Sequence, residues 1–256
     1  MVAIRTGTER PISSRVLAPL FASALFGAIM GPPAASVAQA QGLSVLPVTI
    51  QLAPGQLAAA LTVINQSDSE TSFQVRPFAW HQQDGADQLS DTDDLLASPP
   101  LGTISAGATQ VVRLVLRKPP QGREATYRIL LDQIPPPATA GTVRIALRLS
   151  IPIFAEPATR AVPHVQWRIL NSGRQSYLEA LNDGDRHETA RNIALASSGS
   201  TDKVEANISP YILAGSSRRW RIITSSLPLA PGTAPRLTAQ MDSGPLDQTV
   251  PVVGGP

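Results

Sequence analysis

Residues 141–157, GTVRIALRLSIPIFAEP, alternate with a period of two. Val143, Ile145, Leu147, Leu149, Ile151 and Ile153 fall on one side; Arg144, Ala146, Arg148, Ser150, Pro152 and Phe154 fall on the other. Successive side chains of a strand point to opposite faces, so the pattern predicts a strand with an unbroken row of branched aliphatics along one face. Pro152 has no N–H to give to a ladder, which predicts a free edge at that point. A long edge strand carrying such a row is an aggregation hazard unless it is covered or used. Two readings stay open at this level: an ordinary core strand, or a strand offered to a partner.

The residues before it form short apolar runs divided by turn residues. LSVLPVTIQL (43–52) predicts a first strand interrupted at Pro47, and LAAALTVIN (57–65) a second. TSFQVRPFAW (71–80), TQVVRLVL (109–116) and TYRILLDQI (126–134) follow; residues 84–94 are acidic and polar, a solvated loop with room for one weak edge strand. About seven strands at regular spacing are the mark of an immunoglobulin-like sandwich. EPATRAVP (156–163) reads as a linker. Further short strands divided by Asn171-Ser172-Gly173 and Asn182-Asp183-Gly184 predict a second, smaller β-sandwich over 158–256. The predicted fold is all-β, two immunoglobulin-like β-sandwich domains, the first spanning 41–157.

Residues 1–40 read as a secretory leader. Arg5, Arg10 and Arg15 precede the apolar run VLAPLFASALFGAIM, and Ala38-Gln39-Ala40 has the A-x-A cleavage pattern, which predicts cleavage after Ala40. This leader carries three arginines and one acid, so of 21 basic and 19 acidic residues the remainder keeps 18 of each. Overall charge therefore gives no reason to expect a nucleic-acid partner. The chain has no cysteine, so an exported fold must rest on its core.

Motifs for catalysis are missing from the sequence. His81, His164 and His187 lie far apart and lack metal-ligand spacing. There is no Gly-x-Ser-x-Gly elbow, phosphate loop or cysteine nucleophile. DGADQLSDTDD (84–94) lacks the closing glutamate of a calcium loop. The expectation is a protein that is not an enzyme, with no cofactor, no metal and no small-molecule substrate. Trp80, Trp167 and Trp220 are expected to pack in cores or at the domain junction. A secreted adhesive or structural surface module is the competing class.

Several stretches form an ordered set: Val45-Leu46-Pro47-Val48, Leu61-Thr62-Val63-Ile64-Asn65, Val75-Arg76-Pro77-Phe78-Ala79-Trp80 with Gln82, Ala97-Ser98-Pro99-Pro100, Gln110 to Val115, Tyr127 to Pro135, and Ser150-Ile151-Pro152-Ile153-Phe154. In order and spacing the set resembles the PapD-like periplasmic chaperones of chaperone–usher pilus assembly, and within them the archaic, Csu-like branch. The resemblance covers the whole first domain; the second matches in kind.

That resemblance implies two sandwiches in a boomerang arrangement, a periplasmic location, and pilus subunits and an outer-membrane usher as partners. It also implies donor-strand complementation, in which the chaperone's last strand of the first domain fills the gap left by a strand the subunit lacks. Carried over by position, the donor residues are Val143, Ile145, Leu147 and Leu149. The family anchors the subunit's C-terminal carboxylate with basic residues, but the two usual positions align here near Thr49 or Ile50 and with Pro152. The Tyr127-Arg128 match makes Arg128 the expected anchor, with Arg113 and Arg148 in reserve. Glu124 matches a family acid at the domain junction; its usual arginine aligns with Glu156, leaving Arg160 as the substitute partner.

Overall fold

The computed structural model describes residues 42–135, 137, 145–197, 200–205, 209–223 and 229–254, and among these there is no helix. The first sandwich is built from β1 (Leu43–Leu46), β2 (Ile50–Leu52), β3 (Ala58–Asn65), β4 (Thr71–Gln83), β5 (Ala86–Asp91), β6 (Leu95–Ser98), β7 (Leu101–Ile104), β8 (Thr109–Leu116), β9 (Ala125–Ile134) and β10 (Arg148–Ala155). One sheet has the order β1-β3-β8-β6; the other runs β2-β10-β9-β4-β5, with β7 also on β4. Leu61, Val63, Val112 and Leu114 from the first sheet meet Phe73, Val75, Ile129, Leu131, Ile151 and Ile153 from the second in one core. The alternation that predicted β8 and β9 is the alternation that buries them: Val112, Leu114 and Leu116 point inward from β8 while Arg113 points out.

The predicted first strand is two strands. β1 pairs antiparallel with β3 in one sheet, and β2 pairs parallel with β10 in the other, so the chain changes sheets across Pro47 to Thr49. A period-two pattern sees the same burial on either side of the change, which is why it reads as one strand. The one weak edge strand allowed for in the acidic stretch after β4 is β5, at the end of its sheet. Asp84 and Gly85 both have positive φ, 53° and 79°, and Gln83 pairs with Ala86, a two-residue hairpin turn that brings β5 back onto β4.

The second sandwich contains β11 (Val165–Ser172), β12 (Gln175–Asn182), β13 (Glu188–Ser197), β14 (Ser200–Val204), β15 (Tyr211–Ile212), β16 (Ser216–Ile223), β17 (Arg236–Met241), β18 (Gly244–Thr249) and β19 (Val252–Gly254). These run in a continuous order, β18-β17-β13-β14-β16-β12-β11-β19, with β15 on β13. Ile169, Leu178, Leu195, Ile222 and Leu237, from five different strands, share one core. A single sheet brings them together only by curling over on itself. Trp167 and Trp220 stack inside it, centroids 5.7 Å apart.

A third cluster joins the sandwiches. Trp80 of β4 and Phe154 of β10 pack against Leu213, with Tyr211 beside them. Gln82 reaches across: its amide nitrogen donates to Tyr211 O at 2.8 Å, and its amide oxygen accepts from Leu213 N at 3.0 Å. Trp80 thus belongs to the junction, and Trp167 and Trp220 to a core, as expected of them.

Candidate functional site

The aliphatic row is regular in sequence and graded in space. Ile153 is fully buried and Ile151 is 2% exposed, both in the first core. Leu149 and Leu147 are half-buried and rest on the edge of that core. Ile145 is 88% exposed. The predicted strand over 141–157 is shorter than its pattern: β10 begins at Arg148, so Ile145 and Leu147 precede it, and Val143 lies outside the described residues. Leu147 O still accepts from Gln133 N at 2.9 Å, which carries the β9 pairing one step past the strand.

One side of β10 is fully paired. Arg148 to Ala155 run antiparallel to Asp132 to Ala125 on β9. On the other side β2 pairs only with Ile153 to Ala155. From Arg148 to Pro152 that side has no strand among the described residues, so Pro152 is the last residue before the edge is taken up, in keeping with its missing donor. Leu46 and Val48, at the sheet change, are 58% and 68% exposed.

The opposite face of this sheet carries the charges. Register places Arg128 of β9 between Phe78 of β4 and Pro152 of β10. Its guanidinium carbon stands 3.7 Å over the Trp80 ring and 5.6 Å from that of Tyr211. The only side-chain hydrogen bond among the described residues is a long one to Ser209 Oγ, at 3.5 Å. Burial pushes the Arg128 pKa down, partly offset by attraction to Asp87 and Tyr211, while Arg218 adds repulsion. A guanidinium so far above neutral pH stays charged. Asp87 does not neutralise it: that carboxylate accepts from Arg218 at 2.7 Å and from Gln82 at 2.9 Å. Arg128 is therefore a half-buried cation on an aromatic cradle with no carboxylate partner among the described residues.

The two reserves stand elsewhere. Arg148 is on the same face as Arg128, but it pairs with Asp132, which also accepts from Arg76 at 2.7 Å. Burial alone would raise the Asp132 pKa; the hydrogen bonds and charges of Arg148 and Arg76 outweigh it and hold it below the usual carboxylate range. Arg113 points outward from the other sheet, opposite Ala60 and Ser98, and is not brought together with Arg128. Sequence spacing does not say which sheet a strand joins, so it could not set the reserve Arg113 apart from the reserve Arg148.

The acid at the junction has a different partner from the one expected. Glu124 is buried and meets His187, whose backbone N–H donates to Oε2 at 2.9 Å and whose ring Nδ1 lies 2.7 Å from it. The His187 ring stacks on Phe154, centroids 3.6 Å apart. Glu156 pairs with Arg186 at 3.2 Å. Arg160 makes neither contact. The flat His187 ring packs against Phe154 while one of its nitrogens reaches the carboxylate. His187 was legible only as a residue without metal-ligand spacing.

Comparison with known proteins gives a consistent result. Residues 42–161 match the family model for the pili and flagellar-assembly chaperone, PapD N-terminal domain. No curated protein matches the chain. Among solved structures, the chain resembles one of the CsuC–CsuE chaperone–tip adhesion subunit pre-assembly complex of Acinetobacter baumannii. The TM-score is 0.62 at 22% identity, covering 84% of this chain and all of that one. It resembles the YadV chaperone at TM-score 0.58 and 16% identity, covering 82% of this chain and 98% of that one. A chain of the Salmonella enterica SafA pilin–SafB chaperone complex matches at TM-score 0.58 and 15% identity, with coverage of 82% and 96%. At these identities the likeness is one of fold.

Proposed function

We propose that this chain, whose first sandwich belongs to the PapD N-terminal domain family of pili and flagellar-assembly chaperones, captures pilus subunits by donor-strand complementation and passes them to an outer-membrane usher. The leader pattern of residues 1–40 supports export, and with it a periplasmic site of action. The observation that carries the reading is the burial gradient along one row, from Ile153 inside the first core to Ile145 in solvent.

A row of aliphatics that continues past its own core has apolar surface to give to another. The unpaired edge from Arg148 to Pro152 supplies backbone donors and acceptors for an added strand. Val143, Ile145, Leu147 and Leu149 would then enter a groove in the subunit. Each fully buried side chain contributes about 1.5–3 kcal/mol, less the cost of ordering the segment. Arg128 is the anchor for the subunit's C-terminal carboxylate: it is charged, cradled on Trp80 and unclaimed by Asp87. A carboxylate arriving there gains a charge-assisted, bidentate partner in a partly desolvated place. Arg148 already shares Asp132, and Arg113 lies on the other sheet, which leaves both less suited.

The test is co-expression with a tagged pilus subunit that lacks its last strand. The subunit is expected to be recovered from the periplasm in a one-to-one complex with this protein, and to be degraded or aggregated without it. Equal recovery of soluble subunit in its absence would overturn the reading.

A further inference from the structure

Two arginines, one from each sandwich, act on a single carboxylate. Asp87 of β5 pairs with Gln82, and Leu89 with Trp80, so Asp87 lies on the sheet face that carries Trp80 and Arg128. Arg218 comes to it from β16, across the junction: its Nη1 donates to Asp87 Oδ1 at 2.7 Å. The Gln82 amide donates to the same oxygen at 2.9 Å, and its own orientation is set by Tyr211 O and Leu213 N. Asp87 is thus gripped at one oxygen from both sandwiches.

Arg218 is a costly way to make a merely structural contact. Its side chain is 5% exposed, against 29% for Asp87, and its Nε is buried with no acceptor among the described residues. Burial pushes its pKa down, and the charge and hydrogen bond of Asp87 only partly offset this. A buried pair of this kind adds little stability that apolar side chains of similar volume would not. Arg128, meanwhile, is half-buried and feels the attraction of Asp87, so it would gain a charge-assisted hydrogen bond by taking that carboxylate. A carboxylate on the same sheet meets Arg128 at a far higher effective concentration than one carried by another protein. Left free, Asp87 would occupy the guanidinium before a subunit did. Given Arg128 as the anchor proposed above, we infer that Arg218 is its positioning residue: by holding Asp87 it keeps the Arg128 guanidinium open to the subunit's terminal carboxylate.

The probe is the tagged pilus subunit, co-expressed with variants of the full chain and read as subunit co-purified per chaperone, with thermal melts alongside. Arg218→Met keeps an apolar stem and removes both the grip on Asp87 and the orphaned Nε donor, so the melting curve should hold. Subunit capture should fall about tenfold, as expected when one charge-assisted contact goes to Asp87 instead. Adding Asp87→Asn takes away the competing charge and should restore capture to within about twofold of the unsubstituted protein. A merely structural role for the pair predicts a double variant no better than the single one. If Arg218→Met does not fold, Arg218→Gln takes its place with the same two outcomes. Normal capture by the single variant, or no rescue in the double one, would overturn the inference. Arg128→Ala separates this from the anchor itself: normal capture there would overturn both, whereas loss there with normal capture by Arg218→Met would overturn the role of Arg218 alone.

Discussion

His187 and Glu124 hold the two sandwiches together through one carboxylate oxygen, which takes both the backbone N–H and the ring Nδ1 of the histidine. Neither side chain reaches solvent to any extent, 5% for His187 and none for Glu124. A carboxylate only accepts, so the Nδ1 proton belongs to this contact. The other Glu124 oxygen is buried without a partner among the described residues.

Removing that carboxylate should therefore orphan two buried donors. Glu124→Ala is expected to lower stability by about 2–4 kcal/mol, from two unsatisfied groups at about 1–2 kcal/mol each. Urea unfolding of the purified protein measures it. A midpoint equal to that of the unsubstituted protein would mean that the junction does not depend on this contact.

The aliphatic row should separate into two classes of position. Ile153→Thr places a hydroxyl in the first core and should cost about 2–4 kcal/mol. Ile145→Thr touches solvent on nearly all sides and should leave stability within about 0.5 kcal/mol. Thermal melts of the two variants check the contrast. Under the donor reading, Ile145→Thr with Leu147→Thr still lowers subunit recovery, and Ala146→Ser, on the alternate face, does not. A shared drop in melting temperature and recovery at Ile145 would instead make the row ordinary core.

Arg128→Ala should abolish subunit capture and leave the circular dichroism spectrum unchanged. Arg128→Lys should restore capture only in part, because an ammonium makes no bidentate contact and sits less well on Trp80. The measurement is co-purified subunit per chaperone. Normal yield from Arg128→Ala would move the anchor to one of the reserves, Arg148 or Arg113.

Acid should weaken the first sandwich through Asp132. Its folded-state pKa is held below the unfolded value, so its contribution is complete above the unfolded carboxylate range and is lost as pH falls through the folded pKa. Asp132→Asn should remove that part of the acid slope while lowering stability at neutral pH. Urea midpoints from neutral to acid pH, compared between the two proteins, test it; parallel curves would show that the Arg76 and Arg148 pairs are screened by solvent.

Much of this was legible in the chain, and the limits have physical causes. β8, β9 and β11 follow their alternation because each has one face in a core and one outside. The division of β1 from β2 was hidden, since a strand that changes sheets keeps its inward period. β7 and β18 went unseen: each is an edge strand with little burial to impose a pattern. The site was half legible. The alternation named Ile145, Leu147 and Leu149 as one row, but only coordinates distinguish Ile145 in solvent from Ile153 in the core. The pairing of Glu124 with His187 spans 63 residues and two sandwiches, a distance over which no local pattern carries information.

Pro152 and the short reach of β2 have a consequence for phase. Because Ile151 and Ile153 are locked into the first core, the segment ahead of them cannot slide. Under the donor reading, a guest strand laid along the free edge would meet a template whose odd-numbered side chains are fixed to one face, and a one-residue slip would turn its own pattern over. On that reading the clamped half would act as the zero mark of a ruler, and the exposed half would count off the guest's residues in steps of two.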